Sequence, residues 1–245
     1  MKKILFASTV TLGLMIGGCN EAKQEAGLQN QQQNVMKIES NKKTAKSISL
    51  SFKNVNEEQQ LQPISGEELQ NVKIIKKMSL KEGVLYIYQK KEDSSVMALI
   101  QHKTNFYSLG QIGSNQEYEY DAKEIEVFGE RLLKITGSLG ANAPVSVYID
   151  LKASTPKSIL RVEANTLEID LDQDNRSEII ASVGTATETS IYTFKNNEIK
   201  NTDLNQELNA TIVNYEATSN KFEISFNNKT KRTYQYVSNE TLKEL

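Results

Sequence analysis

A hairpin recurs at a fixed spacing through this chain, and it limits the possible folds more than any other feature. ITGSLGANAPVSVYI, from Ile135, aligns without a gap on IIASVGTATETSIYT, from Ile179. Ile135 falls on Ile179, Ser138 on Ser182, Gly140 on Gly184, Ser146 on Ser190 and Tyr148 on Tyr192, an offset of 44 residues. A second step of 44 carries Ile180 to Ile224, Gly184 to Asn228 and Tyr192 to Tyr236, within ISFNNKTKRTYQYV. Asparagine follows glycine in tolerating a positive φ, so the turn survives the change. A weaker copy, LYIYQKKEDSSVMALI, begins at Leu85. Each unit reads as a strand, a turn and a second strand, which in the later three copies carries a tyrosine. Four-stranded units of about 40–45 residues have the blade length of a β-propeller, and about four fit here. The expected fold is all-β, with antiparallel hairpin repeats in a small propeller-like domain or a stack of related sheets. A β-sandwich whose hairpins merely look alike is the alternative.

Alternation of apolar and polar residues supports strands through most of the chain. Ile48, Leu50 and Phe52 start the pattern. Further strands are expected at 72–79, 84–89, 97–102, 106–110, 124–128, 132–137, 145–150, 159–163, 167–170, 179–183, 190–195, 210–214, 222–226 and 232–237. Ser65-Gly66-Glu67-Glu68 has the capping-box form and predicts a short helix to about residue 72. Ser238 could cap a last short helix through Leu242.

The N-terminus reads as a targeting segment. Lys2 and Lys3 precede an apolar run from Ile4 to Ile16, well short of the about 20 residues a membrane-spanning helix needs. The run ends in Ile16-Gly17-Gly18-Cys19. This resembles the lipobox of bacterial lipoproteins, in which the cysteine thiol receives a diacylglyceryl group and the peptide is cut before it. The resemblance implies a signal peptide over residues 1–18 and lipidation of Cys19, on the extracytoplasmic face of the cell membrane. Cys19 is the single cysteine, so no intrachain disulfide can form. Residues 20–47 are rich in Gln, Asn, Lys, Glu and Ala without any period, which predicts a flexible tether. The all-β domain is expected over 48–245.

The chemistry-bearing stretch is Asp170-Leu171-Asp172-Gln173-Asp174-Asn175-Arg176-Ser177-Glu178. Alternating residues of a tight loop turn several carboxylates inward, and Ca²⁺ takes six to eight oxygens. Arg176 would contribute only its carbonyl. Ala181 stands where an EF-hand needs a bidentate glutamate, so the loop is not of that kind. It resembles the calcium loop of FG-GAP and VCBS-type propeller blades, Asp-x-Asp-x-Asp-Gly-x-x-Asp or Glu followed by a strand, a glycine and a second strand. Asp170, Asp172, Asp174 and Glu178 match, and Asn175 departs from the glycine. The resemblance covers about 30 residues and implies one structural calcium ion. The plain alternative is a solvated acidic turn.

Other chemistry is thinly represented. Twenty-nine basic residues against 31 acidic ones give no electrostatic footprint for nucleic acid. With one histidine and one cysteine, a histidine-based zinc cluster cannot be built. His102, in the turn-like His102-Lys103-Thr104-Asn105, is expected to be exposed. No nucleophile elbow or phosphate loop is present, and no catalytic residue is assigned. The sequence thus points to a non-catalytic binding or scaffolding lipoprotein whose partner is an envelope protein or glycan. An envelope glycan hydrolase using carboxylates is the second reading. A solute-binding lipoprotein is disfavoured, because such proteins alternate α and β elements.

Overall fold

Alternation of the kind seen in PVSVYID builds strands whose two faces meet different neighbours, and the molecule is organised on that principle. The computed structural model describes residues 46–245 except 57, 93, 185, 186 and 239. The expected signal peptide, Cys19 and the expected tether up to residue 45 lie outside the described residues.

Four short strands come first: β1 (Ser47–Ser49), β2 (Lys53–Asn54), β3 (Gln59–Gln60) and β4 (Pro63–Ile64). A 3₁₀ turn at Gly66–Leu69 follows, with the Ser65 hydroxyl accepting from the Glu67 N–H. Antiparallel pairing then groups the strands into four-stranded meanders. The first comprises β5 (Val72–Leu80), β6 (Gly83–Lys90), β7 (Val96–His102) and β8 (Asn105–Gly113). In the second are β9 (Asp121–Val127), β10 (Glu130–Ser138), β11 (Pro144–Asp150) and β12 (Lys157–Val162). The third holds β13 (Asn165–Ile169), β14 (Glu178–Val183), β15 (Glu188–Lys195) and β16 (Glu198–Asp203). After the one-turn helix α1 (Leu204–Leu208) come β17 (Ala210–Glu216), β18 (Lys221–Phe226), β19 (Lys231–Val237) and β20 (Thr241–Glu244). The hairpins matched at Leu85, Ile135, Ile179 and Ile224 all lie on the second and third strands of successive meanders.

The N-terminal strands form a strap that visits the meanders in reverse order. β1 pairs with β20, β2 with β16, β3 with β12 and β4 with β8. Each meander's last strand thereby gains a partner for backbone groups that an open edge would leave unpaired. The first two meanders also touch through one parallel pair, Gly113 with Ser138. A side chain at Gly137 would collide with the Ile112 carbonyl, so this approach needs glycine.

Three apolar cores separate the four meanders. Leu85, Ile87, Ile100, Leu133, Ile135 and Val147 lie between the first and second. Phe128, Leu132, Tyr148, Leu160, Ile179 and Ile199 lie between the second and third. Ile180, Ile191, Val213, Phe222, Ile224 and Tyr236 lie between the third and fourth. Neighbouring residues therefore serve different cores: Leu132 faces the third meander while Leu133 faces the first, and Ile179 and Ile180 divide likewise. The result is antiparallel sheets packed face to face in the manner of a β-sandwich. Among the described residues no core joins the fourth meander to the first, and no closed barrel or propeller is present.

Two local expectations are corrected. The segment after Ser238 is a strand rather than a helix: β20 pairs with both β19 and β1, and this ladder outweighs a local capping signal. The turn after Ser65 stops at Leu69 and is 3₁₀.

Candidate metal centre

The acidic stretch is the connection from β13 to β14, and residues 170–177 span it. Leu171 anchors the loop, with only 1% of its surface exposed, in the core between the third and fourth meanders. Burying Leu171 turns the residues on either side, Asp170 and Asp172, together. Gln173 (φ 64°) and Asn175 (φ 69°) adopt the left-handed backbone that folds the loop back. As a result, Asp170, Asp172 and Asp174 each offer a carboxylate oxygen within 4.8 Å of the others.

Backbone N–H groups hold two of the three. Asp170 accepts from Asp174 N (3.1 Å) through Oδ1 and from Asn175 N (2.9 Å) through Oδ2. Asp174 Oδ1 accepts from Arg176 N at 2.8 Å. Asp172 differs, because its Oδ1 is buried without a hydrogen-bond partner. Burial, then the charge of Asp174, pushes the Asp172 carboxyl above the usual carboxylate range.

Glu178 sits at the first position of β14 and is 5% exposed. Its Oε2 accepts from the Leu171 N–H at 2.9 Å. Burial pushes its carboxyl up to about 7, helped by Asp172, Asp174 and Asp170 and opposed by the Leu171 bond. Like charges and desolvation thus act together here, which is the electrostatic condition a divalent cation relieves.

The loop leans on its neighbour. Phe128 and Gly129 form the two-residue turn between β9 and β10, and the Phe128 N–H donates to the Ser177 carbonyl at 2.9 Å. In front of the loop is a cavity of about 420 Å³, lined by Asp172, Asp174, Glu178, Phe194 and Tyr236 among others. Burial and then the charges of Glu178 and Asp172 raise the Tyr236 hydroxyl.

Of the residues singled out from sequence, Asp170, Asp172 and Asp174 come together. Glu178 stands beside them, turned toward Leu171 N, and Arg176 is exposed. His102 departs from expectation. It is 3% exposed at the end of β7, its Nδ1 lacks a partner, and burial followed by Lys103 lowers its pKa. The strand reaches His102 as expected, and its alternation turns that ring inward with Val96, Ala98 and Ile100.

A second polar cluster was not expected. Lys134 on β10 is buried, and its Nζ meets Glu168 Oε1 at 2.7 Å and the Thr166 carbonyl at 3.1 Å, both on β13. Tyr148 donates its hydroxyl to the same Glu168 oxygen at 2.7 Å. The available signal was a lysine inside the apolar run Leu132-Leu133-Lys134-Ile135.

Comparison with protein-family models, with curated proteins and with solved structures finds no match for this chain. Function must therefore be argued from the site alone.

Proposed function

We propose that the chain is a membrane-anchored, extracytoplasmic lipoprotein whose β domain is a non-catalytic binding or scaffolding module with one structural calcium ion. The partner is an envelope protein or glycan. The observation that carries the calcium reading is the convergence of three aspartates around a buried, unpartnered Asp172 oxygen. Asp170, Asp172 and Asp174 would hold the ion, with Glu178 and the Arg176 carbonyl completing the protein's share and water the rest. A bound ion supplies positive charge that offsets the mutual repulsion of these groups and fixes the loop. The four meanders, the last three of them matched at 44-residue steps, are blade-like units in the manner of FG-GAP and VCBS-type repeats, arranged as an open series. The lipobox pattern ending at Cys19 supports the anchor, and two acyl chains suffice for stable attachment.

Binding of this class contributes roughly 1–2 kcal/mol at millimolar calcium. The chain from residue 19 carrying Cys19→Ser should melt higher in calcium than in chelator, and Asp172→Ala should remove the difference. Identical midpoints in every condition would sink the calcium reading. Radioactive palmitate should label the wild type and spare Cys19→Ser; equal labelling refutes the anchor.

Glycan hydrolysis through carboxylates remains the second reading because of one group. Glu178, raised to about 7 beside a cavity, has the protonation profile of a general acid. Release of reducing ends from cell-wall glycan that Glu178→Gln abolishes would replace the binding reading.

A further inference from the structure

A second cavity, also of about 420 Å³, lies between the second and third meanders and is closed on one side by the strap. Its size is that of a small-ligand site, and such sites favour the seams between packed units. Its apolar wall is formed by Phe128 and Leu132 of the second meander, Ile159 of β12, Phe194 and Ile199 of the third, and Val55 of the strap. Phe128 and Phe194 stack with ring centroids 6.2 Å apart, so aromatic faces form part of the enclosure.

The rim has one dominant sign. Glu58, Glu130, Asp150 and Glu198 border the cavity, and Lys157 is the one basic residue among its lining groups. Lys157 is held by Glu58 at 2.7 Å, and Lys152, just outside, is held by Glu130 at 2.6 Å. The other two acids accept from neutral donors, Asp150 from the Lys152 N–H at 2.8 Å and Glu198 from Asn54 Nδ2 at 2.8 Å, and Asp150 also lies within electrostatic reach of the Lys152 and Lys157 ammonium groups. Two negative charges therefore stay in excess over an apolar, aromatic wall.

We infer that this cleft binds a small organic ammonium ion with an apolar body. The body would replace water against Ile159, Phe194 and Ile199, and the ammonium would sit among the rim carboxylates within reach of the aromatic faces. An organic anion of the same size would meet the acids with the wrong sign. A neutral sugar would donate hydroxyl hydrogen bonds to the carboxylates but would not offset their excess charge. The inference rests on reading the domain as a binding module and uses none of the calcium-loop carboxylates, since Asp170, Asp172, Asp174 and Glu178 line no part of this cavity, while Phe128 and Phe194 border both cavities.

The test is calorimetric titration of the chain from residue 19 carrying Cys19→Ser. The probes are n-hexylammonium, hexanol, hexanoate, methyl glucoside and Nα-acetyl-lysine methylamide, each in calcium and in chelator. Hexylammonium should bind at one site, ~10-fold tighter than hexanol, with hexanoate weaker still. The lysine derivative distinguishes the source of the ammonium: tighter binding than hexylammonium points to a basic peptide, weaker binding to a free amine. Glu130→Lys, a surface change, should weaken hexylammonium ~10-fold. Ile159→Trp should fill the cleft and abolish binding, and Val55→Trp, placed on the strap, does the same without altering a meander. Binding lost only in chelator would tie the site to the acidic loop and overturn its independence. No hexylammonium binding, equal affinity for hexanol, or binding of methyl glucoside alone overturns the proposal.

Discussion

Two turns that touch each other show how differently this protein solves the same connection. Between the first and second strands of the second meander stand only Phe128 and Gly129, at φ 59° and 74°. Two positive φ values in a two-residue hairpin match the right-handed strand twist, so the turn closes by backbone geometry alone. The equivalent connection of the third meander runs through residues 170–177 and closes with carboxylates accepting backbone N–H groups. The first and fourth meanders use only residues 81–82 and 217–220. One connection in four is therefore long and acidic, and it rests against the shortest kind through Phe128 N and Ser177 O. Its neighbour orders this loop through that hydrogen bond, and the proposed cation would add a second source of order that can be tested separately.

Loosening the neighbour has the largest expected effect. The second and third meanders are joined by apolar packing and by the buried Lys134–Glu168 pair, with side chains 5% and 11% exposed. The core between the first two meanders includes Leu85, Ile100, Leu133 and Ile135. Lys134→Ala would leave the Glu168 carboxylate without its cation, with only the Tyr148 hydroxyl still donating to it, at a cost of about 3–5 kcal/mol. Lys134→Met with Glu168→Leu should recover part of that loss in denaturant melts, because it removes both charges together while leaving the buried Tyr148 hydroxyl without its Glu168 acceptor. If the single and double variants are equally unstable, the pair is not what holds this seam.

The next effect belongs to the acidic loop alone. In chelator, Glu178 carries a carboxyl raised from its ordinary 4.5 to about 7. A raised acid holds its proton longer in the folded state, so its contribution is fully present below pH 4.5 and is lost as pH rises toward 7. The loss amounts to about 3 kcal/mol. His102 acts in the opposite sense, since its lowered pKa makes stability fall as pH drops below 6.5. The measurement is therefore a difference: wild type minus Glu178→Gln, melted in chelator across pH 4–8. Glutamine keeps the acceptor for Leu171 N–H and removes the titration. A flat difference would mean that Glu178 is not desolvated as its 5% exposure implies, and calcium should flatten the wild-type curve above pH 6.

The same contrast explains how much could be read from sequence. Strand positions were legible because apolar alternation in segments such as Val145–Ile149 leaves few other folds for them. The acidic triad was legible because its carboxylates are local, within five residues. The strap was not, because β2 and β3 are two-residue pieces, Lys-Asn and Gln-Gln, whose strand character comes only from the meander edges they meet. β16 hid for a related reason: Glu198-Ile199-Lys200-Asn201 is polar, and it is a strand through its ladders to β15 and β2. The Lys134–Glu168 pair joins residues 34 apart across two sheets, and single-residue patterns carry no record of such a meeting. The cleft with its acidic rim draws on the strap and two meanders, so it too was invisible before the sheets were assembled.

The smallest effects distinguish the two turns at single backbone positions. Gly129→Ala places a Cβ at φ 74°, where an L-residue is strained by about 1–2 kcal/mol. That loss should be the same in calcium and in chelator, since nothing in the short turn binds an ion. Asn175, at φ 69°, occupies the position where the calcium-loop pattern has glycine. Its N–H donates to Asp170 Oδ2, and glycine retains that N–H. Asn175→Gly therefore relieves strain while adding freedom to the unfolded chain, and the two should cancel to within about 0.5 kcal/mol. The calcium-dependent rise in melting midpoint should persist in this variant, because the carboxylates are untouched. A loss above 1 kcal/mol confined to the calcium condition would instead assign the Asn175 side chain to the ion, making the loop's departure from the blade pattern a change of ligand rather than of turn.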